Sequence, residues 1–235
     1  MAVTREELAE NLQHIRQRIE LACERSGRLP TSVQLMAVSK FQPPATVTMA
    51  AALGLTLFGE NRVQEAKLKI PQCPDGLTWH LIGHLQSNKA RDAVGLFSMV
   101  QGVDSLSLAQ ELARHAEKQG RHIGVLLEIN VAGEEAKFGW DATRLMDDLV
   151  GLKGLSGLAI QGLMTVAPYT VDPELVRPVF RRLRHLRDEA SGILEAPLPI
   201  LSMGMSGDLE VAIEEGASLV RVGTALFGVR PGFAP

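Results

Sequence analysis

Two charged side chains and two small-residue turns in this chain have the chemistry to hold and react with a phosphorylated carbonyl compound: Lys40, Arg221, Met203-Gly-Met-Ser-Gly207 and Val222-Gly-Thr-Ala225. Lys40 ends the apolar run Val33-Gln-Leu-Met-Ala-Val-Ser-Lys40. Strand alternation puts Met36, Val38 and Lys40 on one face. An ammonium on such a face loses solvation, so its pKa falls and the free amine becomes a nucleophile toward aldehydes and ketones. The competing reading is that the strand simply reaches water at Lys40. The two turns offer backbone N–H groups and the hydroxyls of Ser206 and Thr224 to a phosphate. Asp208 and Glu210 oppose an anion there unless they point away. Arg221 alternates with Leu219 and Gly223, one step deeper than Gly223 on the same face; it either meets a ligand or lies between the strand and outer helices.

These residues need a frame that brings them together. Thr4-Arg-Glu-Glu7 has the form of a capping box, and Leu8, Leu12, Ile15, Ile19 and Ala22 recur at helical spacing up to Ser26-Gly27, which predicts an opening helix. Strands are predicted at 33–40, 55–58, 79–83, 98–103, 123–130, 158–164, 200–203 and 218–222. Helices between them are predicted near 44–53, 62–70, 90–97, 105–119, 141–152, 173–191 and 208–215. Runs apolar on both faces suit a parallel sheet covered by helices. Eight such units close most economically into a single-domain (β/α)8 TIM barrel over 1–235 with an extra N-terminal helix. A doubly wound open sheet is the alternative, but no Gly-x-Gly-x-x-Gly turn follows the first strand.

In a βα barrel every strand ends at one mouth. Reading off the strand ends gives Lys40, Asn61, His84, Asp104, Asn130, Met164 with Thr165, Ser206, and Gly223 with Thr224. Taken singly, Asn61, Asp104 and Ser206 are equally well explained as helix caps and His84 as a loop residue. Taken together at one rim, the lysine, the phosphate seat and Arg221 are the parts needed to hold pyridoxal phosphate: a covalent link to the aldehyde, a phosphate grip and a ring-nitrogen partner. An arginine in the last role keeps that nitrogen unprotonated and the electron sink weak.

The bulk properties exclude several classes. Lys plus Arg number 24 against 27 Asp plus Glu, a net charge of -3, so there is no general electrostatic case for nucleic acid or an anionic membrane. The polar, acidic start shows no secretory signal and no stretch approaches a membrane span, which places the protein in the cytoplasm. Cys23 and Cys73 have no metal or redox spacing, so no metal site is expected.

Ala37-Val-Ser-Lys40, Gly59-Glu-Asn-Arg-Val-Gln-Glu65, Trp79-His-Leu-Ile-Gly-His-Leu-Gln-Ser-Asn-Lys89, Lys137-Phe-Gly139, Gly162-Leu-Met164, Leu201-Ser-Met-Gly-Met-Ser-Gly-Asp208 and Arg221-Val-Gly-Thr-Ala-Leu-Phe-Gly228 span the chain in order. In this series the chain resembles the YggS/PROSC family of pyridoxal phosphate homeostasis proteins. The resemblance implies a fold-type III barrel like the first domain of alanine racemase, with Lys40 as the aldimine lysine. It also implies that Ser206, Gly223 and Thr224 hold the phosphate, that Arg221 meets the ring nitrogen, and that Asn61 and Met164 lie around the ring. His84 stands where other members carry proline, so no catalytic role is expected for it.

The family is a cofactor-buffering one, and the expectation is a carrier that holds the cofactor as a Schiff base on Lys40 for delivery to apo-enzymes, with an indirect effect on amino-acid and keto-acid balance. No catalytic residues are expected. Only a short tail follows the eighth strand, so no lid closes the mouth, and the racemase dimer surface is missing; a monomer is expected. Two alternatives remain open at this point: a racemase-like enzyme using Tyr169 or a partner's acid/base, and a cofactor-free Schiff-base aldolase barrel. The arginines at 177, 181, 182, 184 and 187 form either a contact face or a solvated helix surface.

Overall fold

Thr4 opens the first helix, α1 (Arg5–Arg25), with both halves of a capping box: its hydroxyl accepts from the Glu7 amide and the Glu7 carboxylate accepts from its own. Leu8, Leu12, Ile15, Ile19 and Ala22 are all buried, as their spacing predicts. The computed structural model describes residues 3–134 and 138–228; Lys137 of the Lys137-Phe-Gly139 motif and the tail beyond Gly228 lie outside the described residues.

Strands and helices then alternate: β1 (Gln34–Val38), α2 (Pro44–Ala52), β2 (Leu57–Glu60), α3 (Val63–Lys69), β3 (Thr78–Leu81), α4 (Ala90–Leu96), β4 (Met99–Val103), α5 (Leu106–Lys118), β5 (Ile123–Glu128), α6 (Ala142–Lys153), β6 (Leu158–Met164), α7 (Arg177–Leu194), β7 (Ile200–Ser202), α8 (Leu209–Glu214), β8 (Leu219–Val222) and a one-turn α9 (Thr224–Phe227). The strands form a closed parallel barrel in sequence order, and β8 returns to β1 from Gln34–Leu219 to Ala37–Val222. The open sheet is therefore excluded. Helix α1 packs chiefly on α8 and α9, sealing the barrel where the first and last units meet.

Three expectations need correction. The second strand lies two residues later than its apolar run, because pairing with β3 from Leu57–Thr78 to Glu60–Leu81 extends it through Gly59 and Glu60. The seventh helix begins with a 3-10 turn, Pro173–Val176, before α7 proper. The arginines of α7 divide: Arg181 and Arg182 are exposed as on a solvated surface, but Arg177 bonds Glu174, Glu214 and Glu215, and Arg181 and Arg184 also reach Glu215, tying α7 to the end of α8.

Apolar residues occupy two places. The larger set fills the shell between strands and helices. A small one, Met99, Leu126 and Met164 with Ile200 against it, forms a separate cluster apart from that shell. Gly59 makes room for Met36, whose Sδ lies 2.6 Å from where a Cβ would stand. Among the described residues no helix is long and apolar enough to cross a membrane, and no group of His, Cys, Asp and Glu is placed to hold a metal ion.

Candidate functional site

Register places Lys40. Val38 pairs with Gly59 across β1 and β2, and the Ser39 amide donates to the Gly59 carbonyl at 3.0 Å. Lys40 is two residues past Val38 and Asn61 two past Gly59, so they leave adjacent strands at the same level. On the other side Gly223 packs on Val38, where an added Cβ would make ordinary contact at 3.4 Å. Lys40, Asn61 and the Gly223–Thr224 turn thus share one stretch of rim. Lys40 is half-buried and Ser39 fully buried.

Arg221 lies within a buried polar network. The residue is 4% exposed, and its guanidinium donates to the Ser202 carbonyl (2.7 Å), Ser202 Oγ (2.6 Å) and the Thr165 carbonyl (2.8 Å). Ser202 Oγ in turn donates to Gln101 Oε1 at 2.6 Å, and the Gln101 amide lies 3.0 Å from His80 Nδ1. This chain of polar groups runs from β8 through β7 and β4 to β3, which rules out an Arg221 that snorkels outward between strand and helices. Burial lowers Arg221 to about 10, offset by the charges of Glu128 and Asp208. It remains a cation, and with three of its five N–H groups committed it still has donors to give.

The two small-residue turns after β7 and β8 sit side by side. Ser206 Oγ accepts from the Ala225 amide at 3.2 Å, joining the turn after β7 to the one after β8. Both acidic residues beside these turns have partners. Asp208 Oδ1 accepts from the Met205 amide at 2.6 Å, folding the turn on itself. Glu210 takes a two-pronged bond from Arg18 of α1 at 2.6 and 2.8 Å, and Arg18 also donates to the Ser206 carbonyl at 2.9 Å.

The opposite rim is aromatic and acidic. His84 Nδ1 lies 3.0 Å from Asp104 Oδ2, and its ring stacks on Phe138 at 3.8 Å between centroids. Asn130 folds its own loop through two bonds to the Glu134 backbone. Met164 is buried in the Met99–Leu126 cluster at the end of β6. The cap positions fall one or two residues later than Asn61, Asp104 and Ser206: Ser105 caps α5 through its side chain, while Arg62 and Asp208 hold the N-cap positions of α3 and α8 with no side-chain capping bond. Tyr169 is 92% exposed, so its hydroxyl stands in water.

Several site residues have no counterpart among the strand-end positions. Glu128 ends β5 with its carboxyl raised to about 7 by burial and by Asp104, against the pull of Arg221. Gln101, His80 and Ser202 form the buried relay. Each shows in the sequence only as a polar residue inside an apolar run. Glu60, Glu65 and Lys69 surround the Lys40 segment: Lys69 Nζ bonds Glu60 at 2.8 Å and Glu65 at 3.1 Å.

Comparison with known proteins agrees with the barrel fold. The family profile described as "Alanine racemase, N-terminal domain" matches residues 7–231. The pyridoxal phosphate homeostasis protein of Aquifex aeolicus is 44% identical over 94% of this chain and 97% of that protein. Its Pseudomonas aeruginosa namesake is 42% identical over 97% and 98%. Among solved structures, PipY of Synechococcus elongatus with PLP bound superposes with a TM-score of 0.83 at 41% identity, covering 94% of this chain and all of PipY. An alanine racemase from Clostridium difficile reaches 0.78 at 15% identity over 97% of this chain and 58% of its own, a likeness of fold alone.

Proposed function

This chain belongs to the alanine racemase N-terminal domain family, among its pyridoxal phosphate homeostasis proteins, and from that membership we propose that it is a carrier holding pyridoxal phosphate reversibly at the barrel mouth. The observation that supports this reading is that Lys40 just past the end of β1, the buried Arg221 guanidinium on β8, with N–H groups to spare, and the joined Ser206 and Gly223–Thr224 turns after β7 and β8 stand on neighbouring strands of the barrel. An amine for an aldehyde, a cation for a pyridine nitrogen and a cluster of hydroxyl and backbone donors for a phosphate match the three ends of the cofactor.

When bound, the cofactor supplies an aldehyde that an amine captures reversibly and a ring that withdraws electrons. Lys40 provides the amine. Ser206 and Thr224 present hydroxyls to the phosphate, while Gly223 keeps the wall free of a side chain. Arg221 would meet the ring nitrogen and keep a proton off it, which would limit electron withdrawal. Asn61 and Met164 would lie around the ring. Arg18 keeps the Glu210 charge engaged away from the phosphate.

The same geometry favours carrying over catalysis. Racemase chemistry needs a second acid/base in a shielded site, and the Tyr169 hydroxyl stands in water. In this reading the whole 1–235 chain is one binding domain that acts as a cytoplasmic monomer and passes the cofactor to apo-enzymes. The test is the absorption spectrum after loading with pyridoxal phosphate and desalting. A bound-cofactor band that is lost in Lys40→Ala is expected. A colourless protein, or sustained catalytic exchange of amino-acid α-protons in heavy water, overturns the carrier reading.

A further inference from the structure

The strand ladder ends just before Lys40, and α3 takes over from it. The Ser39 carbonyl accepts from Lys69 Nζ at 2.8 Å, and the Phe41 amide donates to Glu65 Oε1 at 2.6 Å. Those two groups belong to the peptide units on either side of the Lys40 Cα, so holding both fixes the two backbone rotations of Lys40. Glu65 and Lys69 stand four residues apart on one face of α3 and bond each other at 3.1 Å.

The rest of the cluster is sunk in the wall. Glu60 has no exposed surface and accepts from Lys69 Nζ at 2.8 Å and Ser39 Oγ at 2.6 Å. Burial pushes its carboxyl up, and the bonds from Lys69 and Ser39 pull it back. Its second oxygen is buried with no hydrogen-bond partner among the described residues. Phe41 is held at a φ of 64°, a conformation that persists in a bulky residue only where its surroundings impose it. A buried ion pair is a poor device for stability, since apolar packing of the same volume does as well or better. Its place around Lys40 gives it another use.

We propose that Glu65, backed by Lys69 and Glu60, is a positioning residue that aims the Lys40 amine into the barrel mouth through the backbone of Ser39 and Phe41. The inference rests on Lys40 being the point of cofactor attachment. Wild type, Lys40→Ala, Glu65→Ala and Glu65→Gln are loaded with pyridoxal phosphate. The loss of the bound-cofactor band to hydroxylamine is then timed across pH, with urea unfolding as a control on the fold.

Glu65→Ala, which leaves the Phe41 amide without its acceptor, should release cofactor about tenfold faster, the factor one lost charge-assisted bond supplies. Glu65→Gln keeps an oxygen for that amide and should stay near the wild-type rate. Equal impairment in Ala and Gln, or a wild-type rate and pH profile in Glu65→Ala, overturns the inference while leaving attachment intact. If wild type takes up no cofactor, or Lys40→Ala keeps the band, the attachment reading falls and takes this one with it.

Discussion

Arg221 Nη1 lies 2.6 Å from Ser202 Oγ, and that contact sets the direction of every hydrogen bond in the buried relay. A guanidinium can only donate, so Ser202 Oγ accepts from it and gives its own proton to Gln101 Oε1. The Gln101 amide must then turn its N–H toward His80 Nδ1, which leaves His80 neutral with its proton on Nε2. Burial acts the same way, lowering His80 to about 4. The relay therefore has its source in Arg221.

Arg221→Lys replaces a fork by a point charge that cannot serve the Ser202 carbonyl, Ser202 Oγ and the Thr165 carbonyl together. Unsatisfied buried acceptors should lower stability by about 2 kcal/mol in urea unfolding. The extra stability conferred by added pyridoxal phosphate should shrink as well. A variant that keeps both would separate Arg221 from the relay and from the cofactor.

His80 and Glu128 should write opposite slopes into the pH dependence of stability. His80 titrates near 4 in the fold against an ordinary value of 6.5, so its contribution is present above about 6.5 and is lost as pH falls toward 4. Glu128 is raised from 4.5 to about 7, so the unfolded chain gives up its proton first; that contribution is present below about 4.5 and is lost as pH rises through 7. Each is worth on the order of 3 kcal/mol, and between pH 4.5 and 6.5 they largely cancel. His80→Gln should expose a stability that falls with rising pH, and Glu128→Gln one that rises. Urea midpoints at half-unit pH steps read this directly; identical curves for wild type and both variants would refute it.

The positions of Lys40, Arg221, Ser206 and Thr224 are legible in the sequence because each is a polar residue within an apolar strand or just past its end, and a parallel barrel gathers strand ends at one mouth. The strands themselves are legible because both of their faces are buried. Glu60 is not, since the apolar run stops at Phe58 and only the pairing with β3 carries the strand further. Nor is the Arg18–Glu210 pair, whose members stand 192 residues apart and meet only because α1 packs on α8. Side-chain partners of that kind depend on closure of the barrel, which no local period encodes.

Asn61 is held at the rim by what its neighbour lacks. A Cβ on Gly83 would lie 2.3 Å from the Asn61 carbonyl oxygen, so any side chain there must push the Asn61 backbone out of place. Gly83→Ala should cost about 2 kcal/mol of stability and weaken cofactor retention together. Gly192→Ala in α7, where an added Cβ meets nothing within 4 Å, should stabilise the fold by about 0.5–1 kcal/mol and leave retention unchanged. Retention is scored as cofactor left after desalting, and equal retention in the two variants would remove Gly83 from the argument.

Arg18 stands on α1, far from the strand ends in sequence, yet it touches the seat twice, through the Glu210 carboxylate and the Ser206 carbonyl. Arg18→Ala removes the partner of a carboxylate in the first turn of α8, beside the turn proposed to receive the phosphate. Affinity for pyridoxal phosphate should fall by about tenfold at low salt, and the deficit should narrow as ionic strength rises. Glu210→Gln in the Arg18→Ala background should restore most of the loss, because the charge left behind is then gone. Pyridoxal, which lacks the phosphate, should bind all of these variants alike. If the deficit persists with pyridoxal, or Glu210→Gln fails to relieve it, Arg18 acts by bracing the turn rather than by shielding the phosphate.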